Sequence, residues 1–204
     1  MDQPRTRRPA RPREEVYAAA RTAIAEHGLA RLTMAGLGRE LGMSAGHLLY
    51  YFGSKDQLLL ETLRWSEAQL GEERGRELSR RELPVAARLE RYLELYLPEG
   101  PGDPRWLLWI EVWSRSPESP DLRRGQLDIE TPWQDDLTTL LDEGRSTGTL
   151  AFTGPAPTRA THLRALLDGL AVPLTIGLPG TTRATALTHA TSAAQALLGA
   201  APGR

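Results

Sequence analysis

The sequence predicts an all-α protein in 204 residues. Apolar residues recur three or four positions apart in successive segments, which is the spacing of one face of an α-helix. Glycine and proline separate these segments, and no segment alternates β-branched with polar residues as a half-buried strand does. A chain of this length can form one large domain, or a small domain and a larger one.

The first two predicted helices lie close together near the start of the chain. An apolar stripe indicates a helix from Arg13 to His27, and Gly28 can adopt the left-handed conformation that ends it. Thr33 is an N-cap residue for a short second helix, which closes at Gly42.

The third and fourth predicted helices follow after only two residues. Ser44 can cap the third helix, in which Leu48 and Phe52 share one buried face. The capping-box pattern Ser-x-x-Gln at residues 54–57 opens the fourth helix, which continues toward Arg81. This helix is long enough to bridge two domains.

Proline marks the start of the next two helices. Pro84 suits the first turn of a fifth helix, and Asp103 followed by Pro104 is a cap and first-turn signature for a sixth. We expect the fifth helix to bury Tyr92 and Tyr96 with neighbouring apolar residues.

Three further helices are predicted in the second half of the chain, over residues 121–145, 158–176 and 182–198. Pro132 should kink or divide the first of them, and Pro173 should bend the second, because proline lacks the amide proton and crowds the preceding turn.

Composition excludes several classes of protein. There is no cysteine, which removes disulfides, thiolate metal sites and cysteine nucleophiles. No apolar run reaches the roughly 20 residues of a membrane-spanning helix, and the first residues lack the apolar centre of a signal peptide. We therefore expect a soluble, cytoplasmic protein.

Positive charge is concentrated at the front of the chain. Residues 1–60 hold nine basic and six acidic residues, whereas the remainder holds sixteen and twenty. Residues 1–12 form an arginine-rich arm, which is either solvated disorder or a contact to phosphates. Lys55 is the only lysine in the chain.

The segment 33–59 carries the main functional signal. A short helix, a glycine turn and a second short helix form the helix-turn-helix plan, in which the second helix enters the major groove of DNA. From Arg13 to about Leu63 the sequence resembles the TetR family of bacterial transcriptional regulators. The matching positions are Ala23, Gly28, Thr33, Leu37, Leu41, Gly42, Ser44, Gly46, Leu48, Tyr50, Tyr51, Phe52, Gly53, Ser54, Lys55 and Leu58.

Two positions depart from the family pattern. Leu37 and Gly38 stand where the family often has Ile-Ala, and Leu49 stands where it usually has a tyrosine that touches a phosphate. Leu49 could pack inside the domain or meet a thymine methyl group, so the role of the tyrosine is not transferred to it.

The resemblance and the helix geometry together predict a set of DNA contacts. Helix N-termini favour phosphate oxygens, exposed donors and apolar groups can address base edges, and lysine suits phosphate. One of the tyrosines could instead be half-buried in the domain. The expected contacts are Thr33, Ser44, Ala45, Gly46, His47, Tyr50, Tyr51 and Lys55.

The middle helices contain an aromatic cluster. Its members either form ordinary core or line a ligand cavity, and TetR-family proteins bury a largely apolar ligand cavity among these helices. The resemblance therefore implies a small, largely apolar effector. The candidate ligand residues are Tyr92, Tyr96, Trp106, Trp109, Trp113 and Trp133.

The last two helices hold more small and apolar residues than one face of a monomer needs. The resemblance implies that they join a second copy in a homodimer, which in turn implies a roughly palindromic operator; internal packing is the alternative. The residues concerned are Leu163, Leu166, Leu167, Leu170, Leu174, Leu187, Ala190, Ala194 and Leu197.

We therefore predict a basic arm over 1–12, a helix-turn-helix domain over 13–58, and a helical ligand-binding and dimerisation domain over 59–204. The expected function is a ligand-responsive regulator, in most such proteins a repressor, with no cofactor or metal. An activator and a regulator without a small-molecule ligand are the alternatives. An enzyme is disfavoured, since the four histidines show no metal-ligand spacing and no P-loop or GxSxG motif is present.

Overall fold

The computed structural model describes residues 13–199, and the expected basic arm lies outside them. Nine helices follow one another within this range, so the all-α class is confirmed. They are α1 Arg13–Arg31, α2 Met34–Leu41, α3 Ala45–Phe52, α4 Lys55–Leu78, α5 Val85–Tyr96, α6 Pro104–Arg115, α7 Pro120–Ser146, α8 Ala156–Thr175 and α9 Arg183–Leu198.

Side-chain caps and left-handed glycines set the short N-terminal helices. Gly28, at φ 74°, interrupts α1 before its last turn. The Thr33 hydroxyl accepts a hydrogen bond from the Gly36 amide at 3.0 Å and caps α2, which ends at Gly42 with φ 65°. Only residues 42–44 therefore separate the end of α2 from the start of α3.

The start of α4 differs from the predicted capping box. The Ser54 hydroxyl accepts from the Gln57 amide at 3.0 Å, as expected. However, the Gln57 side chain donates to Glu61 at 3.1 Å, because the backbone amide of Ser54 already donates to the Phe52 carbonyl at 2.7 Å. Only half of the capping box is therefore formed.

The long helix α4 connects the two parts of the molecule. It contacts α1 and α3 on the N-terminal side and packs against α5, α6 and α7 on the other. Leu58, Leu59, Leu60 and Leu63 are buried along it. Helix α1 also packs on α6, while α8 lies between α7 and α9. Helices α4 and α6 therefore join the larger part of the molecule to the N-terminal helices.

The two internal prolines do not divide their helices. Helix α7 continues through Pro132, and α8 continues through Pro173 to Thr175. Each proline removes one backbone hydrogen bond, and the residues four positions earlier, Asp128 and Gly169, are exposed. Water can satisfy the carbonyl groups there. No helix among residues 13–199 has the length and apolar character needed to span a membrane.

Candidate DNA-binding helix and ligand cavity

Helix α3 buries one face and exposes the other. Leu48 is fully buried and Phe52 is 5% exposed, as predicted for the inner face. Tyr50 is 85% exposed and Tyr51 is 40% exposed, and His47 is exposed beside them. The alternative that one tyrosine is half-buried therefore does not apply to Tyr50. Core packing does not explain two exposed tyrosines on one short helix.

The exposed rings of α3 form one continuous patch. The centroids of His47 and Tyr51 lie 4.8 Å apart, and those of Tyr50 and Tyr51 lie 5.6 Å apart. The Arg13 guanidinium lies 5.8 Å from the Tyr51 ring centroid. A cation from the first turn of α1 thus adjoins the patch and adds positive charge to it.

The N-terminus of α3 is open to an approaching molecule. The Ser44 hydroxyl accepts from the His47 amide at 3.1 Å and caps the helix. Ala45 is half-buried, and a Cβ added at Gly46 would meet no heavy atom within 4 Å. The positive end of the helix dipole is therefore accessible to an anion such as a phosphate.

The remaining predicted contacts lie around this helix. Thr33 is exposed at the start of α2. Lys55 is half-buried. Its ammonium donates to the Ala30 carbonyl at 3.4 Å, which connects the end of α1 to the start of α4. Leu49 is 46% exposed and therefore is not a core residue.

Gly38 has a steric reason to depart from the alanine of the family pattern. A Cβ at this position would lie 2.6 Å from the Met43 carbonyl oxygen, a contact that real Cβ atoms do not make. The Met43 amide donates to the Gly38 carbonyl at 2.7 Å. The turn between α2 and α3 is thus tighter than alanine would allow.

Five of the six aromatic ligand candidates line one cavity in the larger part of the molecule. The cavity volume is about 20 Å³. Tyr92 is the exception, because it is fully buried behind Tyr96 and its hydroxyl donates to the Trp133 carbonyl at 3.0 Å. The cavity is lined by Tyr96, Trp106, Trp109, Trp113 and Trp133, with Arg105, Glu130, Arg164 and Asp168.

The cavity rings meet mostly edge to face. Tyr96 lies 5.0 Å from Trp133 and 5.9 Å from Trp106 between ring centroids, with interplanar angles of 82° and 62°. Trp113, which is half-buried, lies 5.9 Å from Trp106 and 5.7 Å from Trp109. Electron-rich ring faces of this kind attract cations.

A buried carboxylate that the sequence analysis did not identify ties this cluster to α4. Glu67 is 6% exposed. Its Oε1 accepts from the indole of Trp109 at 2.7 Å, and its Oε2 accepts from the indole of Trp133 at 2.9 Å. Arg105 adds an ion pair at 3.3 Å. Helices α6 and α7 are thereby both attached to α4 through one side chain.

Three further polar residues of the cavity also lacked a sequence motif. The Tyr96 hydroxyl donates to Asp168 at 2.6 Å, and Arg164 lies 3.7 Å from Glu130. Burial raises the pKa of Asp168 above its ordinary value of 3.8, against the opposing effects of the Tyr96 hydrogen bond and the Arg164 charge. Burial also raises the pKa of Tyr96, which keeps its phenol neutral.

Helix α6 carries both cavity residues and contacts to the N-terminal helices. Glu111 accepts a hydrogen bond from the Leu29 amide at 2.9 Å, just after the break in α1. Arg115 forms an ion pair with Asp56, in the first turn of α4, at 2.6 Å. The helix that supplies Trp106 and Trp109 therefore also contacts α1 and the start of α4, next to the segment predicted to bind DNA.

The proposed dimer residues of α8 and α9 divide into two groups. Leu163, Leu167, Leu174, Ala190 and Ala194 are buried within the single chain, so internal packing explains them. Four others stay partly exposed, and beyond the end of α8 Ile176 and Leu178 are 55% and 47% exposed. The four partly exposed residues are Leu166, Leu170, Leu187 and Leu197.

Comparison with known families decides between the interpretations of this arrangement. The model of the tetR family of bacterial regulatory proteins matches residues 16–62. The model of the BetI-type transcriptional repressor C-terminal domain matches residues 85–199, more than half of the chain. The chain belongs to the TetR family. It is a transcriptional regulator of BetI type with a DNA-binding helix-turn-helix, and it is not an enzyme.

Curated regulators of BetI type are similar to parts of this TetR-family chain. It is 52% identical over 56 residues to the HTH-type transcriptional regulator BetI of Agrobacterium fabrum, covering 28% of this chain and 27% of that protein. It is 32% identical over 119 residues to BetI 2 of Chromohalobacter salexigens, covering 56% of each. The alignments thus span at most about half the length of these relatives.

A solved structure resembles the whole fold. A transcriptional regulator from Saccharomonospora viridis in complex with choline is 27% identical, with a TM-score of 0.82, and the match covers 91% of this chain and 96% of that one. A TetR regulator from Haloarcula marismortui shares the fold at a TM-score of 0.77.

Proposed function

We propose that this TetR-family chain is a transcriptional repressor that binds a palindromic operator as a homodimer and is released by a quaternary ammonium compound such as choline. The observation that carries the proposal is the tryptophan-lined cavity, because one of its walls is α6, which packs on α1, and because two of its tryptophans are hydrogen-bonded to Glu67 on α4.

The exposed patch of α3 supports the DNA-binding side of the proposal. His47, Tyr50 and Tyr51 are proposed to address base edges, and the capped N-terminus at Ser44, Ala45 and Gly46 to receive a phosphate. Thr33 and Lys55 are proposed as flanking phosphate contacts. Leu49, being exposed, is available for a thymine methyl group.

The cavity chemistry supports a cationic effector rather than the largely apolar one expected from the family. Tryptophan faces attract a quaternary ammonium, whose charge cannot be satisfied by hydrogen bonds. Glu67, Glu130 and Asp168 add negative charge around Trp109 and Trp133. The similar regulator from Saccharomonospora viridis was solved in complex with choline, which supports the same class of ligand here.

The small size of the cavity supports a coupling mechanism. A volume of about 20 Å³ admits little more than one water molecule. A trimethylammonium group can therefore enter only if tryptophan rings move apart. Movement of Trp109 or Trp133 strains their hydrogen bonds to Glu67 and so acts on α4. We propose that the resulting shift changes the separation of the two recognition helices.

The partly exposed leucines of α8 and α9 support a homodimer interface between these helices and their symmetry mates. The interface is isologous, which matches a two-fold operator. Since the target is chromosomal DNA, we propose the cytoplasm as the compartment.

Isothermal titration calorimetry with choline tests the effector, and selection from random DNA followed by footprinting tests the operator. We expect saturable choline binding and a palindromic selected sequence. Operator binding without any response to choline or related cations would favour the ligand-independent alternative. Sedimentation analysis should give a dimer; a monomer at micromolar concentration would contradict the proposed interface.

A further inference from the structure

We propose that Arg164 recognises an oxygen atom of the effector, so that the cavity takes a quaternary ammonium alcohol in preference to an oxygen-free quaternary ammonium. This inference rests on the proposed function and deepens it. The polar end of the ligand is assigned to α8, while the ammonium end lies against the tryptophans of α6 and α7.

The first observation is a buried donor without an acceptor. The Nε atom of Arg164 is shielded from solvent and has no hydrogen-bond partner within residues 13–199. A buried charged donor left unpaired is costly, so this atom in a cavity wall calls for an acceptor supplied from outside the chain. The side chain is 14% exposed, so bulk water reaches little of it.

The other nitrogens of Arg164 make few contacts, among them an interaction with the Tyr96 hydroxyl. Nη1 donates to the Gln134 side-chain oxygen at 3.3 Å, and Nη2 lies 3.7 Å from Glu130, beyond hydrogen-bond distance. A guanidinium has five N–H donors in a planar fork. Arg164 therefore keeps unused donor capacity in the cavity wall.

Arg105, the other arginine of the cavity, differs in this respect. Its guanidinium donates to Glu67 at 3.3 Å and to the Tyr96 carbonyl at 2.6 Å, and it also reaches the Leu95 carbonyl at 3.3 Å. Its donors are committed to protein acceptors. Of the two cavity arginines, Arg164 is the one positioned to serve a ligand.

The charge around the cavity distinguishes a hydroxyl from a carboxylate on the ligand. Two cations, Arg105 and Arg164, and two carboxylates, Glu130 and Asp168, line the cavity. The carboxylate of Glu67 lies directly behind this wall, paired with Arg105 at 3.3 Å. With Glu67 included, the group carries one surplus negative charge, which a monocation balances and a zwitterion does not. A hydroxyl can also accept from Arg164 and donate to Glu130, whereas a carboxylate would be repelled by Glu130.

Calorimetry with three probes tests this inference. They are choline, propyltrimethylammonium, which replaces the hydroxyl with a methyl group, and glycine betaine, which carries a carboxylate. We expect the wild type to bind choline at least tenfold more tightly than either of the others. In Arg164→Met, choline should weaken to the level of propyltrimethylammonium, whose own affinity should change by less than threefold.

Arg159→Met is the matched control, because Arg159 lies on the same helix but donates to the Thr153 carbonyl outside the cavity. It should keep the wild-type preference. A wild type that binds choline and propyltrimethylammonium equally overturns the inference even if Arg164→Met fails to fold, and so does a preference that survives in Arg164→Met. Betaine binding as tight as choline overturns the assignment of a hydroxyl. If none of the three binds, the proposed effector class fails as well.

Discussion

The two aromatic groups of this TetR-family regulator contain similar residues in opposite environments. On α3, Tyr50 and Tyr51 project into solvent, whereas Tyr96, Trp106 and Trp133 are at most 6% exposed. The α3 patch is held by one eight-residue helix and its caps. The cavity is built from helices far apart in the chain. Aromatic residues can therefore serve recognition in two ways. A short local motif can expose them to a partner, or tertiary packing can bury them around a ligand.

The largest expected effect is a loss of stability when a cavity tryptophan is truncated. Trp106 is 2% exposed and its indole donates to the Tyr96 carbonyl at 3.1 Å. Trp106→Ala should lower the free energy of unfolding by about 3–5 kcal/mol, measured by urea denaturation. Leu127→Ala, at a residue 61% exposed on α7, should change it by less than about 0.5 kcal/mol. Equal losses would show that the cavity is not part of the core.

For the exposed tyrosines of α3 we predict the opposite: Tyr50→Ala should keep its stability and lose operator affinity. Its thermal midpoint should match that of the wild type, because the ring is 85% exposed. Operator affinity should fall by about 1–3 kcal/mol, roughly 5- to 150-fold, as for a lost base contact. Fluorescence anisotropy with labelled operator measures this. Leu127→Ala serves again as the exposed control, and a fall in both variants would refute the assignment of α3.

Glu67→Gln tests whether Glu67 couples choline binding in the cavity to operator binding by α3. The amide keeps the shape of the side chain but removes its charge and one acceptor, so it cannot bind both indoles as the carboxylate does. We expect the effect of choline on operator affinity to shrink by about tenfold, within the usual range of coupling energies. Glu73→Gln, on the same helix and paired only distantly with Arg91 at 3.9 Å, should retain the full effect. Undiminished coupling in Glu67→Gln would exclude this route.

The smallest expected effect is a pH dependence of choline binding in the cavity. Burial raises the pKa of Asp168, which faces Tyr96 from α5, Arg164 from its own helix and Glu130 from α7. As pH falls through that raised pKa, Asp168 becomes neutral and attracts a cation less. Choline affinity, measured by calorimetry, should drop a few-fold as the pH is lowered from neutral through that raised pKa. Asp168→Asn should abolish the dependence, and identical slopes in the two proteins would contradict it.

The sequence predicted the displayed group more completely than the enclosed one. Caps such as Thr33 and Ser44, and the buried pair Leu48 and Phe52, act within a few residues of themselves, so the linear pattern contains them. The polar residues of the cavity act across helices. Arg164 carries no local signal of its position, because it depends on how α8 packs against α7.

Glu67 did carry a signal. It continues the series of Leu59 and Leu63 at intervals of four residues, so it lies on the buried face of α4, where an unpaired carboxylate would be costly. Such a position indicates a buried partner, although the sequence does not identify Trp109 and Trp133. The capping box at Gln57 is the opposite case. The local pattern predicted it, but the Ser54 amide donates to the nearby Phe52 carbonyl instead of to the Gln57 side chain.

The central claim is that a ligand enclosed among the tryptophans alters DNA binding by α3. Operator affinity of the wild-type protein, measured by fluorescence anisotropy with and without saturating choline, tests it directly. The account predicts at least a tenfold loss of affinity when choline is bound. An unchanged affinity, under conditions where calorimetry shows the cavity to be filled, would contradict it.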